Sequence, residues 1–210
     1  MEQVSVLTLN MQNSQVWDPA APDTAPVDLD RSIAFLKSHQ ADIILLQEVE
    51  FPEPGVLIPQ AWPKLDRIRE ALPDYRCCQA YPSASRPHLP FGIGLAILSR
   101  VPQHDDFHVV LPAPDIRFEF QGKTWLPAER SILGTHLQLA EKTVMVLNTH
   151  LQAFFMIGAT SDQYPAQRHV LETLVRGSKH PTILGGDLNC APGEGTVAGL
   201  EAQGLRAVQT

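Results

Sequence analysis

Cysteine is scarce in this sequence. Three are present among 210 residues, Cys77 and Cys78 side by side and Cys190 alone. Adjacent cysteines bridge poorly and an odd count gives no framework, so a disulfide scaffold is excluded and a reducing compartment is expected. The eight histidines are scattered, without the paired Cys/His spacing of a structural zinc site. No apolar run approaches the ~20 residues that a bilayer-crossing helix needs. The opening MEQVSVLTLN has no basic stretch ahead of an apolar one. We therefore expect no secretory leader and a cytoplasmic protein. Positive charge is also short: 16 Lys and Arg stand against 23 Asp and Glu, for a formal charge of −7. Proteins that coat nucleic acid gain affinity by neutralising phosphates and are usually basic, so that class is disfavoured. A small phosphate-bearing substrate is not, because one local cluster of arginines suffices for it.

What is present is a globular composition, 44% hydrophobic and 19% charged. Strand-length runs of Val, Ile and Leu recur at 4–10, 41–48, 92–100, 131–139, 143–150 and 182–187. Several are apolar at consecutive positions, which predicts strands covered on both faces. The runs at 131–139 and 143–150 read as a hairpin turning near Ala140 to Lys142. Between the strands lie helix-like stretches at 28–40, 64–72, 165–177 and 194–204. The first is capped by Asp28, and the third is expected to end on Gly177 as a C-cap. Two proline-rich connections, 17–28 and 51–63, interrupt the pattern without dividing it. One α/β sandwich domain is expected, with sheets packed between helices.

Four polar residues each end an apolar run: Asn10 after VSVLTL, Glu48 after IILLQ, His150 after VMVLNT and Asp187 after TILGG. Each alone has an ordinary reading. Asn or Asp after a strand is most often a turn residue, Glu a solvated strand end, and His a hydrogen-bonded core residue. One site at four strand ends is more economical than four separate explanations. Residues two apart on an extended segment face the same way, so Asp187 and Asn189 present a carboxylate and an amide to one point. Asn10 and Gln12 do likewise. A carboxylate among amide oxygens suits Mg²⁺, with Mn²⁺ as the alternative, and a second carboxylate beside it can orient or deprotonate a water. Gly185 and Gly186 are expected to let backbone and substrate approach closely.

The segments TLN at 8–10, LLQE at 45–48, GLAILSR at 94–100, LNTHL at 147–151 and GGDLN at 185–189 resemble, in order, the signatures of the endonuclease/exonuclease/phosphatase superfamily. The resemblance implies a four-layer sandwich of two mixed β-sheets flanked by helices, and metal-dependent hydrolysis of phosphoesters. It implies Glu48 as principal Mg²⁺ ligand with Asn10 beside it. Asp187 would activate the attacking water, Asn189 would help hold that water or the phosphate, and His150 would donate to a phosphate oxygen. The sequence departs from the pattern at Gln12, where DNA-processing members often carry an acidic residue, so metal binding is expected to rest mainly on Glu48. It also ends GLEAQGLRAVQT without the family's C-terminal Asp-His pair and the strands around it. The expectation is thus a C-terminally incomplete domain with reduced activity.

Arg86, Arg130 and Arg168 are candidates for phosphate contact. Cys190 adjoins the site without a basic partner and reads as an inert thiol. HDDFH at 104–108 is not expected to bind zinc. LQAFFMIG at 151–158 reads as packing, or as an apolar wall that Trp17 and Phe91 would join. The expected substrate is a phosphate ester of unassigned class: a small molecule, a lipid headgroup or a nucleic acid. A nuclease is the rival enzyme, and a catalytically impaired phosphate-binding module is the rival of another class. Oligomeric state is not legible.

Overall fold

Alternation of short apolar strands with amphipathic helices builds the layers. The computed structural model describes residues 3–16, 18–20, 25–50, 59–82, 93–120 and 122–208. In chain order the strands are β1 (Val6–Asn10), β2 (Ile43–Gln47), β3 (Arg76–Ala80), β4 (Leu95–Ser99), β5 (Gln103–Leu111), β6 (Phe118–Phe120), β7 (Lys123–Trp125), β8 (Arg130–Leu139), β9 (Lys142–His150) and β10 (Thr182–Asp187). The helices are α1 (Leu29–His39), α2 (Pro63–Ala71), α3 (Ala166–Gly177) and α4 (Gly195–Glu201). One mixed sheet runs β1-β2-β4-β3, a second runs β10-β9-β8-β5, and β6 and β7 pair separately.

Consecutive apolar residues serve two layers at once. Ile43 and Leu45 of β2 point between the sheets, where they pack with Leu133, Leu137, Val144 and Val146. Ile44 and Leu46 point outward, against Leu36 of α1 and Leu65 and Ile68 of α2. On the far side Met145 and Leu147 of β9 meet Leu171 and Val175 of α3 and Leu200 of α4. Helices, sheet, sheet and helices therefore form an α/β sandwich of four layers. Each fully buried Leu or Ile contributes roughly 1.5–3 kcal/mol, so the core between the sheets fixes their mutual placement.

Two glycines make that placement close. A Cβ on Gly185 would lie 2.4 Å from Leu45 Cδ1, so β10 presses directly on β2. Gly186 has φ +135, and a Cβ there would stand 2.0 Å from the Thr149 carbonyl oxygen. The close approach expected of this pair is thus made by protein, the facing sheet and the neighbouring strand.

Asp28 caps α1 by accepting the Arg31 N–H at 3.0 Å. Gly177, expected as a left-handed cap, is instead the last helical residue of α3, and the chain leaves through Ser178 in an extended conformation. The hairpin turn falls at Ala140 and Glu141, with Leu139 paired to Lys142. Four paired strands, β3, β5, β6 and β7, were not anticipated. β3 (RCCQA) and β5 (QHDDFHVVL) are edge strands, and their polar, partly exposed sequences carry no apolar run. Among the described residues no helix is long and apolar enough to cross a membrane.

Candidate active site

The two parallel strand pairs bring their C-terminal ends to one place. β1 runs parallel to β2 with Asn10 opposite Gln47. β9 runs parallel to β10 with His150 opposite Asp187. The side-chain amide of Asn10 joins the two sheets: its Nδ2 donates to Glu48 Oε1 at 3.0 Å and to Asp187 Oδ2 at 3.0 Å. His150 Nε2 lies 3.8 Å from Glu48 Oε1 and 3.9 Å from Asp187 Oδ2, beyond hydrogen-bond reach. Asp187 Oδ1 accepts the Asn189 backbone N–H at 3.0 Å. The exits of β9 and β10 are tied both ways: Leu151 N–H donates to the Asp187 carbonyl at 2.9 Å, and Asn189 Nδ2 to the Leu151 carbonyl at 2.9 Å. The structure thus brings together Asn10, Glu48, His150, Asp187 and Asn189.

Asn10 differs from the expected oxygen ligand. Its Oδ1 accepts the Gln12 N–H at 2.9 Å, so the amide meets the carboxylates as a donor. Asn189 likewise has its NH₂ engaged by backbone, and its contact with the centre is the N–H that fixes Asp187.

Burial sets the charges. Glu48 is 18% exposed, and burial raises its carboxyl above the ordinary range despite the Asn10 hydrogen bond. His150 is held well below the usual imidazole value, first by burial and then by the charge of Arg130. It is a neutral ring at physiological pH. Arg130 opens β8 on this side of the molecule. Burial lowers its guanidinium while the charges of Glu48 and Asp187 raise it. Its Nε donates to Gln152 Oε1 at 3.5 Å, and its Nη1 is buried without a hydrogen-bond partner.

The backbone here is strained. Gln12, Asn13, Ser14, Glu48 and Asn189 all take left-handed conformations, with φ of +44, +56, +67, +55 and +46. Each costs a non-glycine residue roughly 1–2 kcal/mol, and such strain concentrates at functional sites. Surrounding contacts hold it. Met11 N–H donates to the Gln47 carbonyl at 2.9 Å and Asn13 N–H to the Glu48 carbonyl at 3.2 Å. Lys64 Nζ donates to Asn13 Oδ1 and lies 3.7 Å from Glu50.

Two further residues matter that were not singled out in advance. Gln47 Nε2 donates to Asn148 Oδ1 at 2.7 Å. Asn148 Nδ2 donates to the carbonyls of Leu46 at 2.8 Å and Ala96 at 2.9 Å. Both side chains are buried. This amide bridge crosses the apolar space between the sheets, one residue before Glu48 and two before His150. An amide inside an otherwise apolar strand, in both LLQE and LNTH, was the available signal. Asn148→Ala removes three buried hydrogen bonds and should cost on the order of 3 kcal/mol. Urea unfolding within 1 kcal/mol of wild type would contradict the role given to the bridge.

The other candidates separate. Arg168 sits on α3 and pairs with Asp162 at 2.7 Å and Glu172 at 3.5 Å, not with the acidic centre. Arg86, Trp17 and Phe91 lie outside the described residues. The Cys190 thiol is pushed up by burial and then by Glu194, as an inert thiol should be. His104 bonds Asp105 at 3.0 Å. Among the described residues no trio of His, Cys, Asp or Glu side chains is arranged to chelate a metal.

The model of the endonuclease/exonuclease/phosphatase family matches residues 7–209. The chain belongs to that family. A comparison with curated proteins finds no sequence match. Among solved structures, the chain is similar to an endonuclease/exonuclease/phosphatase from Beutenbergia cavernae DSM 12333 (24% identity, TM-score 0.56, 89% of this chain and 47% of that one). It is also similar to sphingomyelinase C from Streptomyces griseocarneus (19% identity, TM-score 0.64, 97% of this chain and 70% of that one). A third is D. rerio TDP2 complexed with a single-strand DNA product (16% identity, TM-score 0.55, 94% of this chain and 64% of that one). The chain spans about half the length of the first. These likenesses establish the endonuclease/exonuclease/phosphatase fold.

Proposed function

We propose that this protein hydrolyses phosphoester bonds with Mg²⁺, or Mn²⁺ in its place. The observation that carries the reading is two carboxylates, one from each sheet, gathered on a single amide beside a buried neutral histidine. Family members are hydrolases acting on phosphoesters. The donor set fits a hard divalent cation: Glu48 is a carboxylate pushed toward protonation by burial, and a cation would balance it and Asp187 together. Glu48 is the principal ligand, and Asn10 aligns the two carboxylates. A divalent cation held there would supply Lewis-acid polarisation of a phosphoryl oxygen.

The chain's own groups do the rest. Asp187, oriented through Oδ1 by the Asn189 N–H, accepts a proton from the attacking water. His150, neutral, would hydrogen-bond a phosphate oxygen through Nε2–H, a nitrogen that lies 3.8 and 3.9 Å from the two carboxylates. Arg130 supplies a fixed positive charge beside both carboxylates for the phosphate. The three unbridged cysteines suit a cytoplasmic setting.

Bis-p-nitrophenyl phosphate with Mg²⁺ or with EDTA tests this directly. Turnover with Mg²⁺ that vanishes in EDTA is expected. Binding of inorganic phosphate without any turnover would instead make the protein a phosphate-binding module. Plasmid nicking at the same enzyme concentration should be slow, because a net charge of −7 gives a duplex little to hold. Rapid nicking would favour the nuclease.

A further inference from the structure

At the end of the second sheet that carries His150 and Asp187 lies a cleft of about 290 Å³. Its walls include Pro112 and Pro114 after β5, Phe154 after β9, and Tyr164, Pro165 and Gln167 at the start of α3. The ring of Tyr164, 37% exposed, stacks at 5.5 Å and 8° between planes on Phe154, which at 3% exposed backs it from the core. Phe155 and Met156 next to it are 65% and 57% exposed. Solvent-facing apolar residues around a concave apolar floor mark a ligand surface more often than core packing.

The cleft is continuous with the centre in chain and in hydrogen bonds. Phe154 follows His150 by four residues. Gln167, a wall residue, accepts the Gln152 N–H at 2.9 Å and donates to the Pro112 carbonyl at 2.9 Å. Gln152 in turn accepts from Arg130, whose charge faces Glu48 and Asp187. The buried side chains of Gln152 and Gln167 thus join Arg130 to the cleft wall.

We propose that the cleft is the subsite for a planar, apolar substituent of the phosphoester, so that aryl or similarly flat phosphoesters are the preferred substrate class. The inference rests on the phosphoesterase reading for its chemistry, though not for its binding. Flat walls of proline and stacked aromatic rings suit a ring better than a flexible chain, because a ring loses less rotamer freedom on burial. The cleft's volume matches one such group at the small end of ligand pockets.

Two measurements decide it. In calorimetry, phenylphosphonate should bind the full-length protein about tenfold more tightly than methylphosphonate. That difference should shrink toward unity in Tyr164→Ala, which removes a wall, and in Ala113→Phe, which fills the space. In turnover, bis-p-nitrophenyl phosphate and methyl p-nitrophenyl phosphate share a leaving group. Their kcat/KM ratio should fall about tenfold in either variant relative to wild type, through KM for the bis-aryl ester. The intrinsic difference between the esters cancels in that comparison. An unchanged ratio and unchanged binding difference in both variants would overturn the subsite, as would tighter binding of hexylphosphonate than of phenylphosphonate. A phenyl preference in binding without turnover in any form would refute the phosphoesterase reading and leave the subsite standing.

Discussion

Asp187→Ala is expected to lower kcat for bis-p-nitrophenyl phosphate by about 10²–10⁴, the range a positioned general base supplies. Three features focus the proton transfer on this carboxylate. Its Oδ1 is pinned by the Asn189 N–H, its Oδ2 by Asn10, and it is the more exposed of the two carboxylates, at 31% against 18% for Glu48. Water reaches Asp187 while Glu48 stays deeper. Asp187→Asn is the sharper comparison, since its amide oxygen still accepts the Asn189 N–H but takes no proton. Both variants should lose kcat similarly. A loss smaller than tenfold in Asp187→Asn would remove Asp187 from the proton transfer.

Glu48→Gln should abolish turnover and at the same time stabilise the metal-free protein. The glutamine keeps an oxygen for the Asn10 N–H and relieves a buried charge. Relief of this kind trades activity for stability. The pH dependence follows from the direction of the shift. Burial raises the folded-state pKa of Glu48, so its ionisation opposes folding. Below the unfolded carboxylate pKa of about 4.3 both states are protonated and no penalty exists. The penalty grows as pH rises through that value toward the folded pKa and is complete above it. The two unfolding curves should therefore meet in acid and separate at neutral pH, with the variant more stable. Mg²⁺ at ~100 times its dissociation constant should stabilise wild type by about 2.7 kcal/mol and leave the variant unchanged. A variant less stable than wild type at pH 7 without metal would contradict this electrostatic account of Glu48.

Much of the fold was legible because burial on both faces writes itself into consecutive apolar residues. ADIILLQE and TVMVLNTH announce β2 and β9 in this way. The edge strand QHDDFHVVL was not legible, since a strand with one solvated side and a bulge between His104 and Phe107 carries neither a run nor a clean alternation. The centre was legible as a set of strand ends, because the C-terminal ends of parallel strands converge. How each residue meets its neighbours was not. Asn10 was expected to offer an oxygen and offers its NH₂, a choice fixed by the turn at Gln12. Arg168 was expected at phosphate and is held by Asp162, just ahead of α3, and by Glu172, one turn along the same helix. The glycines of TILGGD serve the contact with Leu45 and Thr149, which no local pattern specifies.

The central claim is that the two sheets meet around one cation site at Glu48. Mn²⁺ titration followed by the paramagnetic resonance of the free ion tests it without any substrate. Wild type should take up Mn²⁺, Mg²⁺ should displace it, and Glu48→Gln should lose that uptake while remaining folded. Equal Mn²⁺ affinity in wild type and Glu48→Gln would contradict the claim.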